Sequence, residues 1–320
     1  MLSRVAERMY WTSRYVERAQ NTARMLRAVS HISLDAPHAG PSWWRIVLEI
    51  LGLEAIYMEN VDGVDERQVV RFLLADESNP SSIISCISHA RESARTTREI
   101  LPTEAWEEIN DLYWYARDQA TKSVARNSRN SFISEVIGSS QKWNGLLAGT
   151  MSHDAAYTFM RLGRNIERAD MTTRILDLGA AGEEHIAELA SSPDRVGPIA
   201  NSLWMGVLLC LSAYQMYHQH VQTRVSGPDV VRFLLADEYF PRSVLYCLTE
   251  VKSWLGRMPR HELPQATTVD ILEQVQRAQT RRFARRGLPQ YRRYIDNIQE
   301  KLGRLHQHTA QCWFNVQKTA

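Results

Sequence analysis

The sequence predicts an all-α protein built from two similar halves, and three observations carry that prediction. Glycine and proline number 15 and 11 in 320 residues, too few for a chain that turns every few residues between strands. Apolar residues recur at three- and four-residue spacing over long stretches, with no convincing strand alternation anywhere. The pattern also returns on itself. Val69-Val70-Arg71-Phe72-Leu73-Leu74-Ala75-Asp76-Glu77 recurs letter for letter as Val230 to Glu238. At the same offset Trp43 matches Trp204, Pro80 matches Pro241, Ser82 matches Ser243 and Cys86 matches Cys247. A second offset, of 150 residues, aligns Arg14, Glu17, Arg18, Thr22, Arg24 and Leu26 with Arg164, Glu167, Arg168, Thr172, Arg174 and Leu176. The expected organisation is a helical bundle of two pseudo-twofold-related halves, residues 1–150 and 151–320.

The elements follow in order. Leu2, Val5, Met9, Val16, Ala19, Ala23 and Leu26 mark one amphipathic helix, and Phe159, Leu162, Ile166, Ala169, Thr173 and Leu176 mark its copy. Further helices are expected near 43–58, 65–76, 80–100, 104–126, 199–220, 228–237, 241–256, 268–286 and 290–316. Pro80 and Pro241 suit a first helical turn, where a missing N–H costs nothing. Residues 183–198, with Ser-Ser-Pro and Gly-Pro, have the composition of an inserted loop.

Composition narrows the function classes. Hydrophobic residues are 44% and charged residues 23%, which describes a globular chain and excludes a disordered one. The longest apolar run, Leu203 to Tyr217, is shorter than the roughly 20 residues of a bilayer span and reads as one buried core helix. Residues 1–28 are basic, but Glu7 and Glu17 interrupt them and no signal core follows, so a cytoplasmic protein is expected. Cysteines at 86, 210, 247 and 312 have neither disulfide-framework nor thiolate-zinc spacing.

Two charged constellations stand out. Trp11, Arg14, Arg18, Asn21 and Met25 share the face opposite the first apolar stripe, with Glu17 beside Arg18. The copy presents Arg161, Arg164, Arg168, Met171 and Ile175, with Glu167 beside Arg168. Arginines four residues apart repel unless an anion answers them. Glu17 and Glu167 answer in part, and Asp76, Glu77, Asp237 and Glu238 are candidates for the rest. Two readings stay open: a buried ion-pair network that docks the halves, and a pocket in which arginine forks grip an anionic ligand. The second constellation is Arg281, Arg282, Arg285 and Arg286, in a stretch from Arg277 to Arg293 without an acid. An acidic protein partner suits it, or a plain solvated face. The few interleaved rings make nucleic acid a poor match.

No metal site or cofactor is expected. No Glu-x-x-His pair, phosphate-binding loop, dinucleotide fingerprint or nucleophile elbow occurs, so the chain shows no recognisable catalytic constellation.

Several motifs together resemble the bacterial alpha-E family, named for its helices and its Glu-Arg motif. They are Leu2-Ser3-Arg4-Val5-Ala6-Glu7, Tyr10-Trp11, Arg14-Tyr15-Val16-Glu17-Arg18-Ala19, Pro80-Ser81-Ser82-Ile83, Ala90 to Arg95, Trp106, Gly149-Thr150-Met151, Leu162-Gly163-Arg164 and Glu167 to Thr172. Ser13 departs from the family pattern, where glycine is expected. The resemblance implies a helical accessory protein of a peptide-synthesis or peptide-modification system. Its implied partners are a circularly permuted ATP-grasp ligase and a transglutaminase-like protein. The expected role is non-catalytic binding of the ligase and of an acidic or peptide substrate. The rivals are an acid/base enzyme using the paired Glu-Arg and Asp-Glu residues, and an RNA-binding adaptor using the arginine-rich helix.

Overall fold

A computed structural model describes residues 2–35, 40–189, 193–278 and 288–315, and every regular element among them is helical. The chain begins with a long helix, α1 (Ser3–Asp35), and continues through α2 (Gly40–Leu51), α3 (Glu54–Met58), α4 (Glu66–Leu74), α5 (Ile83–Arg95), α6 (Thr103–Gln119) and α7 (Arg126–Thr150). A second long helix, α8 (Ala155–Leu189), is followed by α9 (Pro193–Cys210), α10 (Tyr214–Val221), α11 (Gly227–Ala236), α12 (Val244–Leu255), α13 (Glu262–Ala278) and α14 (Leu288–Trp313).

Four expectations are corrected. Gly52, at φ +68°, ends α2 and divides the helix expected over 43–58. Ser212, at φ +54°, divides the apolar run 203–217, so α9 and α10 meet at 112°. Among the described residues no single helix is long and apolar enough to cross a membrane. The loop expected over 183–198 is largely helix: α8 runs on to Leu189 and α9 starts at Pro193, where proline is tolerated. Finally, α5 and α12 start after Pro80 and Pro241, at the N-caps Ser82 and Ser243. Their hydroxyls accept the Ser85 and Tyr246 backbone N–H groups at 3.2 and 3.0 Å.

The two long helices, each about 50 Å at 1.5 Å per residue, form the axis of the core. Tyr10 touches Gly163, Arg14 reaches Glu167, and Arg168 reaches Glu17. Contacts in the same order along both helices mean that α1 and α8 run parallel. Parallel neighbours cannot be joined by a short turn, and α2 through α7 supply the crossover. A Cβ built on Gly163 would stand 2.2 Å from the Tyr10 carbonyl oxygen, so the two backbones touch there. Nearer the C-terminal ends, the Trp204 and Trp43 indoles lie against Gly179 and Gly182. A buried indole of roughly 200 Å² contributes about 5 kcal/mol of gross transfer energy, which explains why α8 gives up side-chain bulk at both positions.

Packing against the other helices withdraws most of the middle of α1, from Met9 to Leu26, from water. Thr12, Ser13, Arg14, Glu17, Gln20, Asn21, Thr22 and Arg24 are all buried. A polar group withdrawn from water must be paired or it costs stability. The pairing of these residues defines the candidate site.

Candidate functional site

The glutamates cross between the long helices. Glu167 of α8 takes the Arg14 Nε at 2.7 Å, and the Arg18 fork closes on it at 2.6 and 3.1 Å. Glu17 of α1 takes the Arg168 fork at 3.0 and 2.8 Å. The spacing rule alone makes Glu17 the partner of its own neighbour Arg14. Instead each glutamate binds the arginines of the opposite helix, because on facing parallel helices the opposite side chain is nearer than the next turn. Both carboxylates are essentially inaccessible to solvent. Burial pushes their pKa values up, but the facing guanidiniums outweigh it. Arg18 and Arg14 bring Glu167 down to about 2, and Arg168 with Arg242 holds Glu17 well below the usual carboxylate range. Both are therefore ionised at neutral pH.

Arg242 lies in the turn before α12 and was not among the expected residues. It donates to Glu17 Oε1 at 3.0 Å, to Asn21 Oδ1 at 3.0 Å, and to the Gln20 side-chain oxygen. Its presence leaves Arg164 displaced. The Arg164 Nε stands 3.8 Å from Glu17 with no hydrogen-bond partner, and about a fifth of that side chain is exposed.

Arg164, Arg168, Arg242 and Arg24 line one cleft of about 420 Å³ between α1, α7, α8 and the turns at 211–212 and 240–242. The remaining walls are Gln20, Gln141, Asn144, Gly145, Ala148, Leu211, Ser212, Phe240 and Pro241, with no carboxylate among them. Arg24 is buried, donates to the Cys210 carbonyl at 3.0 Å and to Ser212 Oγ at 2.8 Å, and keeps an unpartnered Nε. Ser212 holds a left-handed backbone, which a non-glycine residue adopts at a cost, and its hydroxyl is thereby turned to Arg24. Burial, then repulsion from Arg168, brings Arg164 down to about 10 and Arg242 to about 9. Both remain cations at neutral pH. A cleft with guanidinium donors and no acid on its walls carries a positive potential of the sign that attracts an anion.

The other expected residues lie elsewhere. Asp76 accepts the Ser78 N–H and hydroxyl within a local turn, and Glu77 is exposed. Asp237 takes His220 Nδ1 at 2.6 Å and the Tyr239 and Phe240 N–H groups, and Glu238 is exposed. The acidic pairs therefore do not balance the arginines, as expected of them, because turn geometry claims the two aspartates first. Arg281, Arg282, Arg285 and Arg286 lie outside the described residues. Arg292, from the same basic stretch, meets Asp177 at 2.8 Å, Glu49 at 3.2 Å and Glu184 at 3.4 Å, tying α14 to α8 and α2.

The network reaches α14 through an aromatic relay. Arg14 donates to the Tyr10 hydroxyl at 3.2 Å, and that hydroxyl pairs with His306 Nδ1 at 3.0 Å. Burial, and then the Arg14 charge, lowers His306 to about 4. A histidine held neutral in the folded state contributes stability above its unfolded pKa near 6.5, and that contribution is lost as pH falls to about 4. Glu167 adds a second loss from about 4.5 down to about 2. Urea midpoints measured from pH 7 to 4 should therefore fall, and His306→Phe should flatten the limb above pH 4.5. An unchanged slope in that variant would remove His306 from the account.

The Alpha-E family, described as a predicted alpha-helical domain with a conserved ER motif, matches residues 1–314. The chain is also similar to uncharacterized proteins of Mycobacterium bovis (Mb2597) and Mycobacterium tuberculosis (Rv2567). Each is 20% identical over 275 residues, which cover 80% of this chain and 30% of the relative. The chain thus spans about a third of the length of these relatives. No solved structure matches. Two of the chain's Glu-Arg dipeptides, Glu17-Arg18 and Glu167-Arg168, form the buried cross-pairs between its central helices, and the chain belongs to the Alpha-E family.

Proposed function

We propose that this protein is a non-catalytic helical binding module that holds an anionic ligand in the four-arginine cleft. In this reading it serves a partner enzyme of the ATP-grasp ligase type that the family resemblance implies. One observation carries the binding half of the proposal: Arg164 lines the cleft with about a fifth of its side chain exposed and a buried Nε that has no partner, while Arg168 and Arg242 take Glu17. The Glu17 and Glu167 cross-pairs are the frame, since they are buried and fully engaged. Arg164 and Arg24 are the donors left over. A guanidinium fork suits a carboxylate or a phosphate oxygen pair, and the amide groups of Gln141 and Asn144 suit a ligand with hydrogen-bonding groups beyond its charge.

A ligand that binds only the folded state raises the melting temperature with its concentration. Millimolar phosphate, pyrophosphate or a glutamate-bearing peptide should raise the melting temperature of the wild-type chain, and Arg164→Gln should abolish the rise while melting near the wild type. An equal rise in both proteins would sink the cleft as the binding site. For the partner, the chain should co-purify with the ligase and alter its ATP turnover. Identical turnover with and without the chain would count against the accessory role.

A further inference from the structure

We infer that the cleft takes one compact anion of two or more negative charges, a phosphate or pyrophosphate group, and that Gln20 and Arg242 confine this site to one side of the α1–α8 pair. The inference rests on the reading of the cleft as an anion site. It adds the ligand's charge, its shape and its number per chain.

The chain contains its own control. Residues 150 apart on α1 and α8 make matching contacts. Arg18 forks onto Glu167 as Arg168 forks onto Glu17. Arg24 donates to the last carbonyl of α9, at Cys210, as Arg174 donates to the Ile50 carbonyl in the last turn of α2, at 2.6 Å. Two positions break the match. Opposite Gln20 in the alignment stands Asp170, which accepts the Arg174 Nε at 2.9 Å. Gln20 instead turns to the Ile137 carbonyl and to Arg242, and the Arg24 Nε is left without a partner. Opposite Arg242 stands Ser81. With no arginine there to compete, Arg14 lies 2.7 Å from Glu167, whereas its counterpart Arg164 lies 3.8 Å from Glu17.

The consequence is a difference in charge on one scaffold. On one side Arg14, Arg18 and Arg174 face Glu167 and Asp170, three cations against two carboxylates. On the other side Arg24, Arg164, Arg168 and Arg242 face Glu17 alone. Three surplus positive charges withdrawn from water are costly unless matched. A monocarboxylate neutralises one of them. Three of the four guanidiniums lie within 4 Å of the single Glu17 carboxylate, so the surplus is concentrated. A phosphoryl group puts two charges on oxygens of one atom and fits that concentration. A dicarboxylate separates its charges along a chain and does not.

Isothermal titration of the full chain at low salt, with pyrophosphate, phosphate, succinate and acetate as probes, tests the inference. Wild type should bind one pyrophosphate per chain, at least about tenfold tighter than succinate or acetate. Gln20→Asp with Arg242→Ser converts this side to the charge pattern of the other. It should weaken pyrophosphate by about a hundredfold without lowering the melting temperature, since the new carboxylate pairs with Arg24. Ser81→Arg with Asp170→Gln should raise the stoichiometry from one to two. Should that variant fail to fold, Gln20→Asp alone decides, and should cost about tenfold in affinity. Two equivalents on wild type, acetate binding as tightly as pyrophosphate, or full affinity in the Gln20→Asp variants would overturn the inference. Binding of acetate and succinate but not of phosphates would overturn it while leaving the cleft an anion site. Binding of none of the four would remove both readings.

Discussion

Glu17→Ala should be the most destabilising single charge deletion in the chain, costing on the order of 3–5 kcal/mol. The reason is the number of cations it strands. Arg168 and Arg242 lose their carboxylate at 2.8 and 3.0 Å, and Arg164 loses its nearest one at 3.8 Å. Arg168 and Arg242 are the more deeply buried, while Arg164 keeps about a fifth of its side chain exposed at the cleft. Glu167→Ala strands two and should cost less. Glu92, paired with Arg95 at 2.7 Å on the surface of α5, is the matched control, and its alanine variant should unfold with the wild type. Urea unfolding measures all three. The double variant Glu17→Ala/Arg168→Ala should cost clearly less than the sum of its parts, because the second deletion removes a cation already left unpaired. A loss below about 1 kcal/mol for Glu17→Ala would mean that the cluster relaxes into solvent and is no frame at all.

Much of this frame was legible in the sequence. Equal spacing of Arg14, Glu17 and Arg18 with Arg164, Glu167 and Arg168 marked these residues as a set. Trp11, Met25, Met171 and Ile175 beside them marked a face unlike an ordinary solvated surface, with a buried network and a ligand pocket both open. Partner choice was not legible, since whether Glu17 meets Arg14 or Arg168 depends on two helices running parallel in register. Arg242 was missed because a turn residue has no periodicity to betray it. The signal available was a full charge difference from Ser81 inside otherwise matching Pro-x-Ser segments. Asp76 and Asp237 misled for the opposite cause: their repetition reflects two similar turns, each capped locally. Helix α7 was missed because its sequence is rich in Ser, Asn and Gly, all weaker helix formers than alanine. Packing of Phe132, Ile133, Val136, Ile137, Trp143 and Leu147 into the core overrides that propensity. Residues 183–189 and 193–198 show the converse, since their turn-like composition lies within α8 and α9.

The same substitution should have opposite signs on two helices. Gly138 is exposed in the middle of α7, and a Cβ there meets nothing within 4 Å. Gly138→Ala should therefore stabilise the chain by up to about 1 kcal/mol, the propensity difference between the two residues. Gly163→Ala gains the same propensity and loses far more. Its Cβ would stand 2.2 Å from the Tyr10 carbonyl oxygen and 3.0 Å from the carbonyl carbon. Both are backbone atoms of α1, so no rotamer change relieves the overlap and the long helices must part. Parting them draws Arg14 away from Glu167, one turn further on, where the bond is 2.7 Å. Overpacking of this kind costs about 3 kcal/mol or more, and the lengthened ion pair adds to it. The melting temperature of Gly163→Ala should fall well below the wild type while that of Gly138→Ala rises. Because the separation opens the α1–α8 seam beside the cleft, pyrophosphate affinity should fall in Gly163→Ala and stay constant in Gly138→Ala. A Gly163→Ala protein as stable as the wild type would show that the two helices do not meet backbone to backbone. The reciprocal Glu-Arg pairs would then have to be held at their distances by side-chain reach alone.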